Sequence, residues 1–86
     1  MTSIYTPQQL GDAIRAARKQ LALTQPQLAL AAGVGVRFVV ELEAGKPSVR
    51  LAQVLRVIDA LGGEINVTGL PGVTPAAHRE GSDDGA

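Results

Sequence analysis

The chain has 86 residues, 45% of them hydrophobic, and only two aromatic side chains, Tyr5 and Phe38. That length supports one domain with a small aliphatic core, which gains stability from a partner subunit. Eight basic residues balance eight acidic ones, so charge alone does not point to a polyanion, and the lack of cysteine excludes disulfides and thiolate metal sites.

The N-terminal residues Met1 to Pro7 have neither a basic start nor an apolar run, so no signal peptide is expected. No stretch is apolar for long enough to span a membrane. The charge is unevenly spread. From Pro71 onward Arg79 stands against Glu80, Asp83 and Asp84, which leaves the preceding body seven basic residues against five acidic ones. The same segment is rich in Pro, Gly, Ala, Ser and Asp. Its composition cannot bury enough surface to order itself, so residues 71–86 are expected to be a disordered tail behind a domain of residues 1–70.

Thr6-Pro7-Gln8-Gln9 opens a first helix as a capping box with proline at the first helical position. Leu10, Ile14, Ala17 and Leu21 then recur at helical spacing, and Arg15, Arg18 and Lys19 read as a solvated face. Thr24-Gln25-Pro26-Gln27 opens a second helix in the same way. Leu28, Ala29 and Ala32 form its narrow apolar face, and Gly33 ends it in a left-handed conformation. A third, short helix runs from about Val36 to Ala44. Val39 and Leu42 point to one side of it, and Arg37, Val40, Glu41 and Ala44 to the other. After Gly45-Lys46-Pro47 a fourth helix runs from Val49 or Arg50 to Leu61, with Leu51, Val54, Leu55, Ile58 and Leu61 as its core stripe. Gly62-Gly63 ends it.

Glu64 to Thr68 alternates polar and apolar residues, as a half-buried strand does. A solitary strand in a helical domain needs a partner. The expected partner is the same strand of a second copy, antiparallel about a two-fold axis, which makes Ile65 and Val67 dimerisation residues. Local packing on its own domain, or pairing with Ser3 to Tyr5, are the alternatives. The predicted fold is thus all-α, four helices plus one C-terminal strand shared across a homodimer.

The segment from Leu23 to Leu42 carries the functional signal. Two short helices joined by a glycine-containing turn, with Leu28, Ala29, Val34, Val39 and Leu42 facing inward, leave the second helix projecting with a free outer face. A major groove about 12 Å wide accepts one such helix, and the start of the first helix of the pair then lies beside a phosphate.

The stretch LTQ…LA…AGV…VVELEAGKP, from Leu23 to Pro47, resembles the Xre/Cro-type helix-turn-helix family of repressors. The likeness continues through LAQVLRVIDALG. Upstream, Ile4 to Leu10 followed by a basic helix resembles the HipB-like antitoxins of type II toxin-antitoxin pairs. The resemblance covers about residues 4 to 70. It implies a four-helix body, a strand that pairs between protomers, a palindromic double-stranded DNA operator upstream of the operon, and a HipA-like kinase toxin as partner. The sequence departs from the family pattern at Gly35, where a polar cap such as serine is common, and at Val36 and Val40, where polar residues are usual.

Six residues are expected to bind DNA. Gln25 suits a phosphate beside its helix N-terminus. Arg37 suits guanine O6 and N7 or a phosphate, against an exposed ion pair with Glu41. Glu41 orients Arg37 or accepts from cytosine N4. Val36 and Val40 touch thymine methyl groups, or stand in a site read by shape. Lys46, like Arg50, follows the third helix where a loop meets the DNA backbone, unless it is a solvated charge. Phe38 is either a packing residue or a DNA contact. A sequence-specific, cytoplasmic repressor is the favoured function, with half-sites about one helical turn apart. A stand-alone regulator of the same type, or a protein-interaction adaptor that keeps the fold, are the competitors. No catalytic residue, metal site or cofactor is expected. The only histidine, His78, lies in the tail, and there is no phosphate loop.

Overall fold

A computed structural model describes residues 3–72; the rest of the segment expected to be a disordered tail lies outside the described residues. Four helices follow one another: α1 (Pro7–Gln20), α2 (Gln25–Ala32), α3 (Val36–Glu43) and α4 (Leu51–Ala60). Both expected capping boxes form. Thr6 accepts from the Gln9 backbone N–H and Thr24 from that of Gln27, while each glutamine side chain returns to its cap residue's backbone. Each box satisfies two orphan donors of a helix start.

The core is small and aliphatic, made of Ile14, Leu28, Ala29, Ala32, Val39, Leu42, Val54 and Val57. Leu10, Val34, Phe38, Val49, Ile58 and Leu61 pack around it. Full burial of a Leu or Val contributes about 1.5–3 kcal/mol, so these few side chains carry most of the hydrophobic stabilisation. α3 packs against α1 and α2, and α4 against α2. Gly11 sets how closely α1 meets α3. A Cβ there would stand 2.5 Å from the Leu42 carbonyl oxygen, so any larger residue pushes the helices apart.

Two expected helix faces are corrected. Arg18, read as solvated, is buried, and Leu21 at the end of the α1 stripe is exposed. On α4 the inward positions are Val54 and Val57, with Ile58 and Leu61 half-buried, while Leu51 is 67% exposed and Leu55 also faces outward. Both the 51/55/58 and the 54/57/58/61 spacings are apolar and helical, and α2 covers the second. Residues 63–68 carry no regular secondary structure, and no strand occurs among the described residues, so the expected pairing between two copies is left to a second chain. A strand is defined by ladder hydrogen bonds. The backbone groups of residues 64–68 make none among the described residues. Ser3 to Tyr5 does not pair with them.

Each helix ends in the same hydrogen-bonded turn, with one residue in the left-handed region. After α2, α3 and α4 that residue is Gly33, Gly45 or Gly62. After α1 it is Ala22, at φ 58°, where the Ala22 N–H donates to the Lys19 carbonyl and the Leu23 N–H to the Arg18 carbonyl. A Cβ in this conformation is strained.

The deepest polar feature joins α1 to α3. The Arg18 guanidinium forms a bidentate pair with the Glu43 carboxylate, Nε to Oε2 at 2.7 Å and Nη2 to Oε1 at 2.9 Å. Its Nη1 donates to the Leu23 carbonyl at 2.8 Å. Gln25 Nε2 adds a third donor to Glu43 Oε1 at 3.1 Å. Burial pushes the Glu43 carboxyl up, but the bonds from Arg18 and Gln25 outweigh it and hold the group below the usual carboxylate range. The bond to Glu43 likewise holds Arg18 above its ordinary value, against the effect of burial.

The strain at Ala22 and the charge on Glu43 should both be visible in thermal unfolding. Replacing Ala22→Gly relieves the left-handed strain and should stabilise the fold by about 1 kcal/mol, raising Tm by roughly 4–8 °C. An unchanged or lower Tm would show that the alanine is unstrained. The Glu43 carboxyl has a depressed folded-state pKa, so its contribution is complete above the ordinary value of 4.5 and is lost as pH falls through the folded value. Tm should therefore drop as pH falls from about 5 through the folded-state value, and the drop should be shallower in Glu43→Gln, which starts from a lower Tm because Arg18 has lost its partner.

Candidate nucleic-acid interface

Residues 25–43 build the site. α2 ends at Ala32, Gly33 takes φ 72°, and the Val34 N–H closes the turn onto the Ala29 carbonyl. Gly35, extended at φ −74°, then serves as N-cap of α3 without a side-chain bond. Leu28 and Ala29 of α2 and Val39 and Leu42 of α3 are buried together in the core, as their spacing predicts. Locking these faces inward turns the opposite face of α3 to solvent.

That outer face carries Val36, Arg37 and Val40, all exposed, with Glu41 half-buried beside them. The Arg37 side chain is 90% exposed, and its Nε lies 3.4 Å from Glu41 Oε2, one turn later. Lys46 Nζ reaches the same oxygen at 3.3 Å. The Arg37–Glu41 ion pair, the alternative weighed against a DNA contact, is thus present, and Lys46 joins it. Phe38 is half-buried and packs against the core. Arg50 is exposed at the start of α4 and makes no side-chain capping bond. Ile65 and Val67 are exposed and stand apart from the α3 cluster in sequence.

Gln25 sits at the first position of α2, half-buried. Its side chain is not free, because one amide hydrogen goes to Glu43. The second hydrogen of the same amide remains available for a further acceptor. Through Glu43, the start of α2 is coupled to the last residue of α3 and, by Arg18, to α1.

Sequence reasoning missed Arg18 and Glu43. A signal existed: Arg18 lies four residues after the inward Ile14 and seven after Gly11, and Glu43 four after the inward Val39. Opposite charges at inward positions of two helices are what a buried pair requires. Among the described residues, no three His, Cys, Asp or Glu side chains converge as a metal site. No helix among them is long and apolar enough to cross a membrane.

The helix-turn-helix domain family matches residues 9–65. The HTH-type transcriptional regulator y4mF of Sinorhizobium fredii (strain NBRC 101917 / NGR234) is 47% identical over 64 residues, which cover 74% of this chain and 84% of that protein. Among solved structures, HipB in a HipA-HipB-O2-O3 complex superposes with a TM-score of 0.75 at 23% identity, over 80% of this chain and 97% of its own. The clp gene regulator ClgR of C. glutamicum is 30% identical, with a TM-score of 0.64, over 74% of this chain and 82% of its own. A toxin-antitoxin module from Streptococcus pneumoniae is 29% identical, with a TM-score of 0.60, over 72% and 73%. The chain belongs to the helix-turn-helix family of transcriptional regulators, in the Xre-type, HipB-like form of its fold.

Proposed function

We propose that this regulator is a homodimeric repressor that reads a palindromic operator with α3, controls its own operon in the cytoplasm, and acts as the antitoxin of a HipA-like kinase toxin. The observation that carries the DNA-reading part is the outer face of α3. Arg37 stands 90% exposed between Val36 and Val40 on a short helix whose other side is fixed in the core. A guanidinium so placed suits guanine O6 and N7, and the valines suit thymine methyl groups. Gln25, with one amide hydrogen tied to Glu43, offers the other to a phosphate, and Lys46 flanks the helix on the side of the following loop.

The dimer part is supported by apolar surface that this chain leaves uncovered. Ile65 and Val67 are exposed, their segment's backbone has no ladder partner among the described residues, and Leu51 and Leu55 add apolar area on α4. Antiparallel pairing of two such segments across a two-fold axis would satisfy the backbone and cover the side chains. Such a dimer sets two α3 helices about one helical turn apart on the same face of a duplex. The antitoxin part rests on likeness: the fold of HipB, seen with HipA and with DNA, and a toxin-antitoxin module among the structural relatives.

The apolar Val36 and Val40 favour one competing reading, a protein-interaction module that keeps the fold without reading sequence. A gel-shift titration against the chain's own upstream DNA and a scrambled duplex, at two salt concentrations, separates the two. A repressor binds the upstream DNA selectively at the higher salt, and Arg37→Ala weakens that binding by about 1–3 kcal/mol. Equal, salt-labile binding to both duplexes would establish the protein-interaction reading instead.

A further inference from the structure

Glu41 sits between the two cations of the reading face. Its Oε2 lies 3.4 Å from Arg37 Nε and 3.3 Å from Lys46 Nζ. The two contacts come from opposite directions along the chain. Arg37 precedes Glu41 by one helical turn. Lys46 is brought back by the turn that ends α3: with Gly45 at φ 84°, the Gly45 N–H donates to the Leu42 carbonyl and the Lys46 N–H to the Glu41 carbonyl, both at 3.1 Å. The backbone therefore returns Lys46 to the residue whose carboxylate it meets. Glu41 is the inner member of the cluster, its side chain 31% exposed against 90% for Arg37.

This arrangement has an electrostatic cost on a DNA-reading surface. A carboxylate there repels phosphates, and each cation it holds is withheld from them. The pairs are also exposed enough to be weak, so both cations can exchange partners when a better one arrives. We propose that Glu41 is the specificity-determining residue of this face, its negative charge opposing indiscriminate phosphate contact by Arg37 and Lys46 and ceasing to oppose it where the duplex presents a cytosine amino group to that carboxylate. The amino group at cytosine N4 is the base-edge donor that a carboxylate accepts in the major groove. With its oxygens engaged there, Glu41 frees Arg37 for a guanine edge and Lys46 for the backbone. This inference deepens the operator-reading proposal and rests on it.

The test compares the full-length protein with Glu41→Gln, Lys46→Gln and the double variant. Each is titrated with the upstream duplex and a scrambled duplex at about 50 and about 200 mM salt. Glu41→Gln should bind scrambled DNA more tightly at low salt and lose preference for the upstream duplex. Every additional phosphate neutralised costs about 3.5-fold in affinity across that salt range, so freeing both cations in both protomers of the dimer should increase the salt-induced loss of this variant by up to about 150-fold. Lys46→Gln should weaken scrambled-DNA binding little alone and clearly in the Glu41→Gln background. If the wild type discriminates but Glu41→Gln changes neither preference nor salt dependence, the role of Glu41 is overturned and operator reading stands. If the wild type shows no preference, operator reading falls and the role of Glu41 with it.

Discussion

The meeting of Arg18, Gln25 and Glu43 is the constraint on which the rest of this small domain depends. One carboxylate, at the last residue of α3, accepts from a guanidinium of α1 and an amide of α2. Three helices are thereby tied at a single point in a protein whose buried core, among the described residues, is entirely aliphatic. Burying an ion pair is a poor source of net stability, because desolvation offsets most of the attraction. What the pair supplies here is geometry. Aliphatic side chains alone would let α3 slide or rotate against its neighbours, whereas a bidentate pair has one satisfactory arrangement. The close approach permitted by Gly11 acts in the same direction, setting α1 directly on the backbone of α3.

From that fixed frame the functional surface follows. With Val39 and Leu42 held inward, Val36, Arg37 and Val40 have nowhere to go but outward. With Glu43 anchored, the helix ends where Gly45 can turn the chain and deliver Lys46 to Glu41. The same carboxylate that joins the helices also holds one hydrogen of the Gln25 amide, so the site's candidate phosphate contact is oriented by the core itself. Neutral overall charge is then less puzzling on a candidate DNA-binding protein. Affinity from unpaired cations alone is sequence-blind. On the proposed reading, a carboxylate set between Arg37 and Lys46 lowers such affinity in favour of discrimination.

Much of this was legible in the sequence, and the exceptions have physical causes. Thr6 and Thr24 announce two helix starts because a capping box is a local motif, complete within four residues. Gly33 announces a helix end for the same reason. Helix existence and the inward faces of α2 and α3 could be read from spacing alone. The α4 register could not, because Leu51 and Leu55 are as apolar as Val54 and Val57, and only the position of α2 decides which pair is covered. Arg18 escaped notice because a charged residue is assumed solvated until its partner, 25 positions away, is placed beside it. The segment around Ile65 and Val67 illustrates a different boundary. Its alternation describes what a strand would bury, but a ladder needs a second strand, and none of the described residues supplies one.

Whether α3 enters a major groove is the central claim, and guanine methylation interference tests it most directly. N7 lies in the major groove, so a methyl group there obstructs a helix seated in that groove. With the protein bound to its own upstream duplex, methylation should block binding at two clusters of guanines about one helical turn apart. A complex that forms equally well on fully N7-methylated DNA would contradict the placement of α3 and of Arg37 with it.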